Sequence, residues 1–408
     1  MEAVIIAIGD ELISGAGIDT NSSYLSQRLL EKGIIPRRHI TVGDNIDEIA
    51  KVITDAVNEA ELVITTGGLG PTRDDLTRQA LAKVMGVDLV EDARSAERIK
   101  EFFIKRSRQM SPSNLTQALK PAGTQTLDND IGTAPGIAAR YKGSDIYLLP
   151  GPPNEMKDVF EKRVFPQLPS CGAIIQKTLH TFGIGESVIG EKIADLMTNT
   201  ENFKVGTAAK GGQVSIRITA KADNLDEAKE IAEKSAEQIR ARLGNIIFGQ
   251  DEQTLQGIIG DMLKKSGKTL ATAESCTGGM LGEMITSIPG ASEYFLGGVV
   301  SYSNAAKINL LTVPAELIQA HGAVSEPVAE AMARGVKEKF KADFGIGITG
   351  IAGPAGGSAE KPVGLVFIGL ADDKGVEVHK HIFPGERQAI RQRACLTALN
   401  YLRLKLSA

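Results

Sequence analysis

The chain has 408 residues, more than one hydrophobic core usually serves, which predicts about two to three domains. With 42% hydrophobic and 24% charged residues it excludes global disorder, and a formal net charge of -4 excludes a strong positive field for nucleic acid or anionic membrane. Cys171, Cys276 and Cys395 are too few and too far apart for a disulfide framework or a CxxC metal site, so a reducing, cytoplasmic setting is expected.

The apolar run Ala3 to Ile8 meets Gly9, Asp10 and Glu11 too soon for a signal peptide or membrane span, and reads as a first strand. Asn21 to Lys32 follows as a helix, Ile34 to Val42 as a strand, Ile46 to Ala60 as an amphipathic helix and Leu62 to Thr66 as a buried strand. With a strand at Tyr147 to Leu149, this alternation predicts βαβ units on a mostly parallel sheet over residues 1–170. From 171 to 250 the pattern becomes a small α+β module: strands Lys177 to Phe182, Lys204 to Ala208 and Gln213 to Ala220, with helices Glu186 to Met197 and Leu225 to Leu243. Residues 251–408 start a second α/β rhythm. It has a helix at Thr254 to Lys265, a strand at Thr269 to Ala273, a helix after Cys276, a helix at Ser325 to Phe340 and a strand at Phe344 to Thr349. Strands Gly364 to Leu370 and Val376 to Ile382 and a helix from Glu386 to Leu404 close it.

Strand Leu62 to Thr66 runs into Gly67, Gly68, Leu69 and Gly70, then Pro71, Thr72, Arg73, Asp74 and Asp75. Glycines at the carboxyl end of a strand let backbone N–H groups approach a phosphate, and paired carboxylates hold a hard divalent cation against it. The alternative for Asp74 and Asp75 is helix capping. Asp10 and Glu11 after the first strand, and Glu155 after the turn Pro150-Gly151-Pro152-Pro153, add carboxylates at strand ends, which suits metal-assisted phosphoryl chemistry.

These stretches, Gly9-Asp10-Glu11-Leu12, Asp19-Thr20-Asn21, the Thr66 to Thr72 loop with Asp74-Asp75, and Pro150 to Glu155, resemble the N-terminal domain of the CinA family. That domain is similar to the molybdopterin-binding fold of molybdenum cofactor biosynthesis proteins, although Leu69 stands where those proteins usually carry threonine. The resemblance implies metal-dependent hydrolysis of ADP-ribose to AMP and ribose 5-phosphate. Asp10, Asp74, Asp75 and Glu155 would lie near a divalent ion (magnesium, manganese or cobalt), with Gly67, Gly68 and Gly70 at phosphate. Residues 171–250 occupy the place of the family's KH-like module. They lack the GxxG clamp and balance ten basic against ten acidic residues, so a connector or dimerisation element is expected over nucleic-acid binding.

In the last part, Ala273-Glu274-Ser275-Cys276-Thr277-Gly278-Gly279 puts a serine between a strand and a helix, where the amides of Thr277 and Gly278 would face an oxyanion. Ordinary N-capping by Ser275 or Thr277 is the alternative. Ser301-Tyr302-Ser303-Asn304-Ala305-Ala306-Lys307 supplies a lysine that, if desolvated, serves a serine as base; in isolation it reads as a solvated helix lysine, and Tyr302 as a packed aromatic. Thr349-Gly350-Ile351-Ala352-Gly353-Pro354 opens a glycine-rich binding loop, and Arg387 and Arg391 lie four apart on the final helix. Cys276 is a competing nucleophile without a histidine partner in sequence; His379 and His381 read as structural.

With Gly322 to Pro327, these motifs resemble the CinA C-terminal domain, which also exists alone as nicotinamide mononucleotide deamidase. The resemblance implies Ser275 as nucleophile, Lys307 as base, Tyr302 and Thr349 as active-site partners, Thr277, Gly278, Gly279 and Gly353 at substrate, Arg387 or Arg391 at phosphate, and no metal at this site. The expectation is therefore an α/β protein of three parts that recycles pyridine-nucleotide fragments. Its partners would be nicotinamide mononucleotide, ADP-ribose and a second copy of the chain. The rival is a non-enzymatic competence or recombination factor that touches DNA.

Overall fold

The computed structural model describes residues 1–197, 199–200 and 202–407. The chain is α/β and divides into two compact units, one of residues 1–175 with 219–232, the other of 176–218 with 233–408. The segment around 171–250 builds a four-stranded sheet in the order Phe203–Lys210, Gln213–Ala222, Ala173–Phe182, Ile247–Gln250, with the helix Leu225–Leu243, and its residues are shared between the units.

The first unit holds a six-stranded sheet in the order Ile35–Val42, Glu2–Ile8, Leu62–Thr66, Ser144–Leu149, Gly136–Tyr141, Gln125–Leu127. The first four strands are parallel, and an antiparallel pair extends the edge. The unbroken apolar run at the start of the chain is explained by burial on both faces: Val4, Ile6 and Ile8 enter one core, Ala3 and Ile5 the other. Helix Ile46–Glu59 covers one face with Ile49, Ile53, Ala56 and Val57, the i, i+4, i+7, i+8 spacing of an amphipathic helix. Asn45 caps it by accepting the Asp47 and Glu48 amides, a contribution of about 1 kcal/mol.

Between 76 and 146 the structure has elements beyond those read from the sequence: helices Thr77–Met85 and Ala93–Lys105 and the short strands of the sheet edge. The helix expected from Glu186 to Met197 ends at Lys192 and continues as a 3-10 turn over Ala194–Leu196, with the helix-weakening Gly190 inside its last turn.

The second unit carries a five-stranded sheet in the order Phe295–Val300, Leu270–Glu274, Phe344–Gly350, Leu365–Ala371, Val376–Ile382. The first three strands are parallel, so Glu274, Val300 and Gly350 end on one side of the sheet. Helix Glu326–Phe340 lies on this sheet at a distance set by glycines. A Cβ on Gly345 would come within 2.3 Å of the Ala333 carbonyl oxygen, on Gly347 within 2.6 Å of the Ala333 nitrogen, and on Gly369 within 2.6 Å of the Ala329 carbonyl oxygen. Among the described residues no helix is long and apolar enough to cross a membrane.

Candidate active site

At the common carboxyl end of the three parallel strands, Ser275 follows Glu274, Ser301 follows Val300, and Thr349 is the penultimate residue of its strand. The Ser275 amide donates to the Ile348 carbonyl at 2.9 Å, which fixes the turn to the neighbouring strand. Lys307 reaches the same point from helix Asn304–Leu311, where it shares the buried stripe with Leu311. Its Nζ lies 2.9 Å from Ser275 Oγ and 2.8 Å from the Ser301 carbonyl oxygen, and the residue is 1% exposed. Burial pushes the ammonium below the ordinary lysine range, against a smaller opposing effect from the Cys276 thiol. Cys276 is itself buried, which raises its thiol to about 11, so the thiolate is scarce at neutral pH.

Glu274, to which the sequence attached no role, organises the turn. Its carboxylate is 2% exposed and accepts the amides of Gly279 and Leu281 at 3.0 Å and of Gly282 at 2.8 Å. The expectation that Gly279 binds substrate is corrected at its amide, which Glu274 already holds. The Gly278 amide closes the turn on the Ser275 carbonyl at 3.2 Å, and Gly278 and Gly279 both take positive φ. Cys276 and Thr277 therefore present the amides nearest the serine that are outside this network.

Arg391 donates to the Thr277 carbonyl at 2.7 Å and to Gln388 at 3.2 Å, so it braces the turn from outside. Arg387 is exposed and spans two other loops, donating to the Gly353 carbonyl at 2.7 Å and to the Tyr302 hydroxyl at 3.2 Å. Tyr302 is 62% exposed and meets Arg387 through its hydroxyl. Thr349 is fully buried and its hydroxyl donates to the Ala323 carbonyl at 2.8 Å, which ties the strand end to the loop before helix Glu326–Phe340.

The first unit has its own cleft, of about 570 Å³, at the carboxyl ends of its parallel strands. The Gly67 to Gly70 loop, Asp74 and Asp75 line it, joined by Glu11, Asp19 and Asp44. Asp75 accepts the Gly70 amide at 2.6 Å and the Thr72 amide at 2.8 Å, and both Asp74 and Asp75 accept the Thr72 hydroxyl. Gly70 thus offers no amide to a phosphate, contrary to expectation. Asp10 and Asp44 each accept the other's backbone amide at 3.0 Å. Burial raises the Asp44 carboxyl, and the neighbouring Asp10, Glu11 and Asp74 charges push it the same way. Glu155 departs from expectation: it does not line the cleft, and it accepts the Asn129 side-chain amide at 2.7 Å. Among the described residues no three His, Cys, Asp or Glu side chains are gathered to hold a metal ion. The expected ligand set Asp10, Asp74, Asp75 and Glu155 does not fit as a ready-made metal centre, because its members are engaged with separate backbone and side-chain donors.

Three family models match in succession: the probable molybdopterin binding domain over residues 4–170, the damage-inducible protein CinA KH domain over 176–249, and the CinA C-terminal domain over 252–406. A CinA-like protein of Kosmotoga olearia is 43% identical over 409 residues, covering 100% of this chain and 99% of its own length. Another from Dictyoglomus thermophilum is 43% identical over 405 residues, covering 99% of this chain and 98% of its own. Among solved structures, the competence/damage inducible protein CihA of Agrobacterium tumefaciens is 39% identical, covers 38% of this chain and 94% of its own, and has a TM-score of 0.37.

Proposed function

The chain belongs to the CinA family, and from that premise we propose that residues 251–408 form an amidase that converts nicotinamide mononucleotide to nicotinate mononucleotide and ammonia. The observation that carries the proposal is the 2.9 Å contact between Ser275 Oγ and a buried lysine amine whose other hydrogen bond goes to an uncharged carbonyl. Burial eases this lysine's loss of a proton, and in its neutral form it has an N–H for the Ser301 carbonyl and a lone pair for the serine proton.

In this reading Lys307 takes the Ser275 proton as Oγ attacks the carboxamide carbon. The amides of Cys276 and Thr277 receive the oxyanion. The C–N bond then breaks, Lys307 returns the proton to the departing nitrogen, and ammonia leaves an ester on Ser275. Water attacks that ester, Lys307 accepts a water proton and restores it to the serine, and the carboxylate product departs. Arg387, exposed beside Tyr302 and Gly353, is the arginine best placed to meet the substrate phosphate, whereas Arg391 is committed to the turn. Ammonia release from nicotinamide mononucleotide by the full chain tests the proposal. Turnover that survives a chelator is expected, and no release under any condition would refute it.

For the N-terminal cleft we propose hydrolysis of ADP-ribose, supported by the glycine loop at the strand ends and by the cleft's size. A divalent ion would supply charge neutralisation at phosphate, and Asp74 and Asp75, both lining the cleft, are the residues nearest to that task. We assign no step to it, since no ready-made ligand set is present. Release of AMP from ADP-ribose with and without added divalent metal is the test. A cytoplasmic homodimer is the working assembly in this reading, to be checked by sedimentation of the full chain.

A further inference from the structure

The Gly67 to Gly70 loop is gripped in an orderly way by the first turn of helix Thr77–Met85. The Gly67 carbonyl accepts from the Thr77 hydroxyl at 2.9 Å and the Gly68 carbonyl from the Thr77 amide at 3.2 Å. The Leu69 and Gly70 carbonyls accept from the two terminal nitrogens of Arg78, at 2.7 and 2.8 Å. All four carbonyls therefore face the helix. In a planar trans peptide the N–H points opposite to the carbonyl, so each inward carbonyl aims the next residue's amide outward. The outward donors are Gly68, Leu69 and Gly70; Gly70's is taken by Asp75, and Pro71 has none. Gly67 and Gly68 must be glycine for this, with φ of 105° and 66° and no room for a Cβ against Ile8 and Thr77.

Arg78 is 2% exposed, and both hydrogen bonds go to uncharged groups. Burial lowers its guanidinium to about 10, with the Asp75 charge opposing, so it stays cationic at neutral pH. Its hydrogen bonds reach carbonyls alone, and the Asp75 carboxylate acts on it through space without an ion-pair contact, so its charge is only partly balanced. Thr77 holds the two peptides that present the Gly68 and Leu69 amides and Arg78 holds the next two, so an anion on those amides would sit one peptide along the loop from the guanidinium and add negative charge on its far side. Glu11, Asp19, Asp44, Asp74 and Asp75 line the cleft and repel such an anion, so the field of Arg78 has to offset them.

We propose that Arg78 is a positioning residue for an anion seat formed by the Gly68 and Leu69 amides: Thr77 holds those two peptides directly, and Arg78 fixes the following two and supplies the positive charge beside the seat. The proposal rests on reading this cleft as a nucleotide-phosphate site and specifies which groups hold the phosphate.

The test compares binding of AMP and of adenosine to the full chain in chelator, each measured by displacement of ADP-ribose, for the unaltered protein, Arg78→Met and Arg78→Lys. The unaltered chain is expected to prefer AMP by about tenfold or more. Arg78→Met should weaken AMP by about tenfold and adenosine by less than about twofold. Arg78→Lys, which keeps the charge but not the fork, should fall between. Equal weakening of both ligands would reduce Arg78 to a merely structural role and overturn the proposal, as would unchanged AMP binding. If Arg78→Met does not fold, Arg78→Lys decides by the same criterion: AMP weakened alone supports the proposal, both or neither overturns it. An unaltered chain that binds AMP no better than adenosine removes the phosphate reading of the cleft itself, a result distinct from a failure of Arg78 alone.

Discussion

Each unit buries one cation at the carboxyl end of its parallel strands, and the two are used differently. Lys307 touches the Ser275 hydroxyl, whereas Arg78 touches only carbonyls of the glycine loop. The C-terminal site is thus assembled before substrate arrives, with the Glu274 network holding its turn. The N-terminal cleft has its carboxylates tied to amides and lacks a gathered metal set, so a ligand has more left to organise there. Pre-assembly should show as single residues whose loss is ruinous on one side and graded on the other.

The largest effect is expected for Ser275→Ala, which should lower deamidation by orders of magnitude and leave ADP-ribose hydrolysis unchanged. Lys307→Ala should be nearly as damaging, and the double variant should resemble the worse single one because the two act as a unit. Full deamidation by folded Ser275→Ala would break the comparison. The pH profile carries the same information: with its pKa lowered by burial, Lys307 becomes a base as pH rises through that lowered value, so kcat/KM should fall on the acid side. The linkage has a definite sign. The folded pKa lies below the unfolded one, so the unfolded chain binds the extra proton between them, and stability rises with pH across that window.

A smaller effect is expected for Glu274→Gln. An amide side chain cannot accept from three N–H groups arranged around both oxygens, so at least one donor faces another. A loss of about 1–3 kcal/mol of turn order, read as roughly a tenfold to hundredfold fall in kcat with KM less affected, would place Glu274 as a positioning residue. A change in KM alone would argue against that. The smallest effect belongs to Cys276→Ser, which should keep deamidation within about an order of magnitude, since the buried thiol is not the group Lys307 contacts. Loss of activity in that variant would move the nucleophile by one residue.

The alternation of strands and helices was legible because the strands are short apolar runs and the helices carry a clear 3.6-residue period. Ser275 was legible from its place between a strand and a helix. The contact that makes it a nucleophile candidate was not, because Lys307 lies 32 positions away and only the sheet order brings the two strand ends together. Glu274 and Arg78 were missed for a related reason: their partners are backbone groups, which no residue type announces. One signal was available in hindsight. Lys307 precedes Leu311 by four residues and Arg78 precedes Leu81 by three, so each charge sits on the buried stripe of its helix, where a solvated residue has no place. Asp10 and Glu155 were placed by their position after strands, and the structure shows that a carboxylate at a strand end is as readily spent on a neighbouring amide.

The glycines beneath helix Glu326–Phe340 bear on how this protein can be engineered. Replacing glycine by alanine is a common route to a higher melting temperature, since it trims the freedom of the unfolded chain by about 0.4–1 kcal/mol. At Gly345, Gly347 and Gly369 the added methyl would meet the helix backbone well inside van der Waals contact, and the helix would have to lift from the sheet. Gly345 and Gly347 share their strand with Thr349 and with the Ile348 carbonyl that anchors Ser275, and Gly369 lies on the strand beside it, so a stabilising campaign aimed at these glycines would disturb the ground on which the proposed site stands.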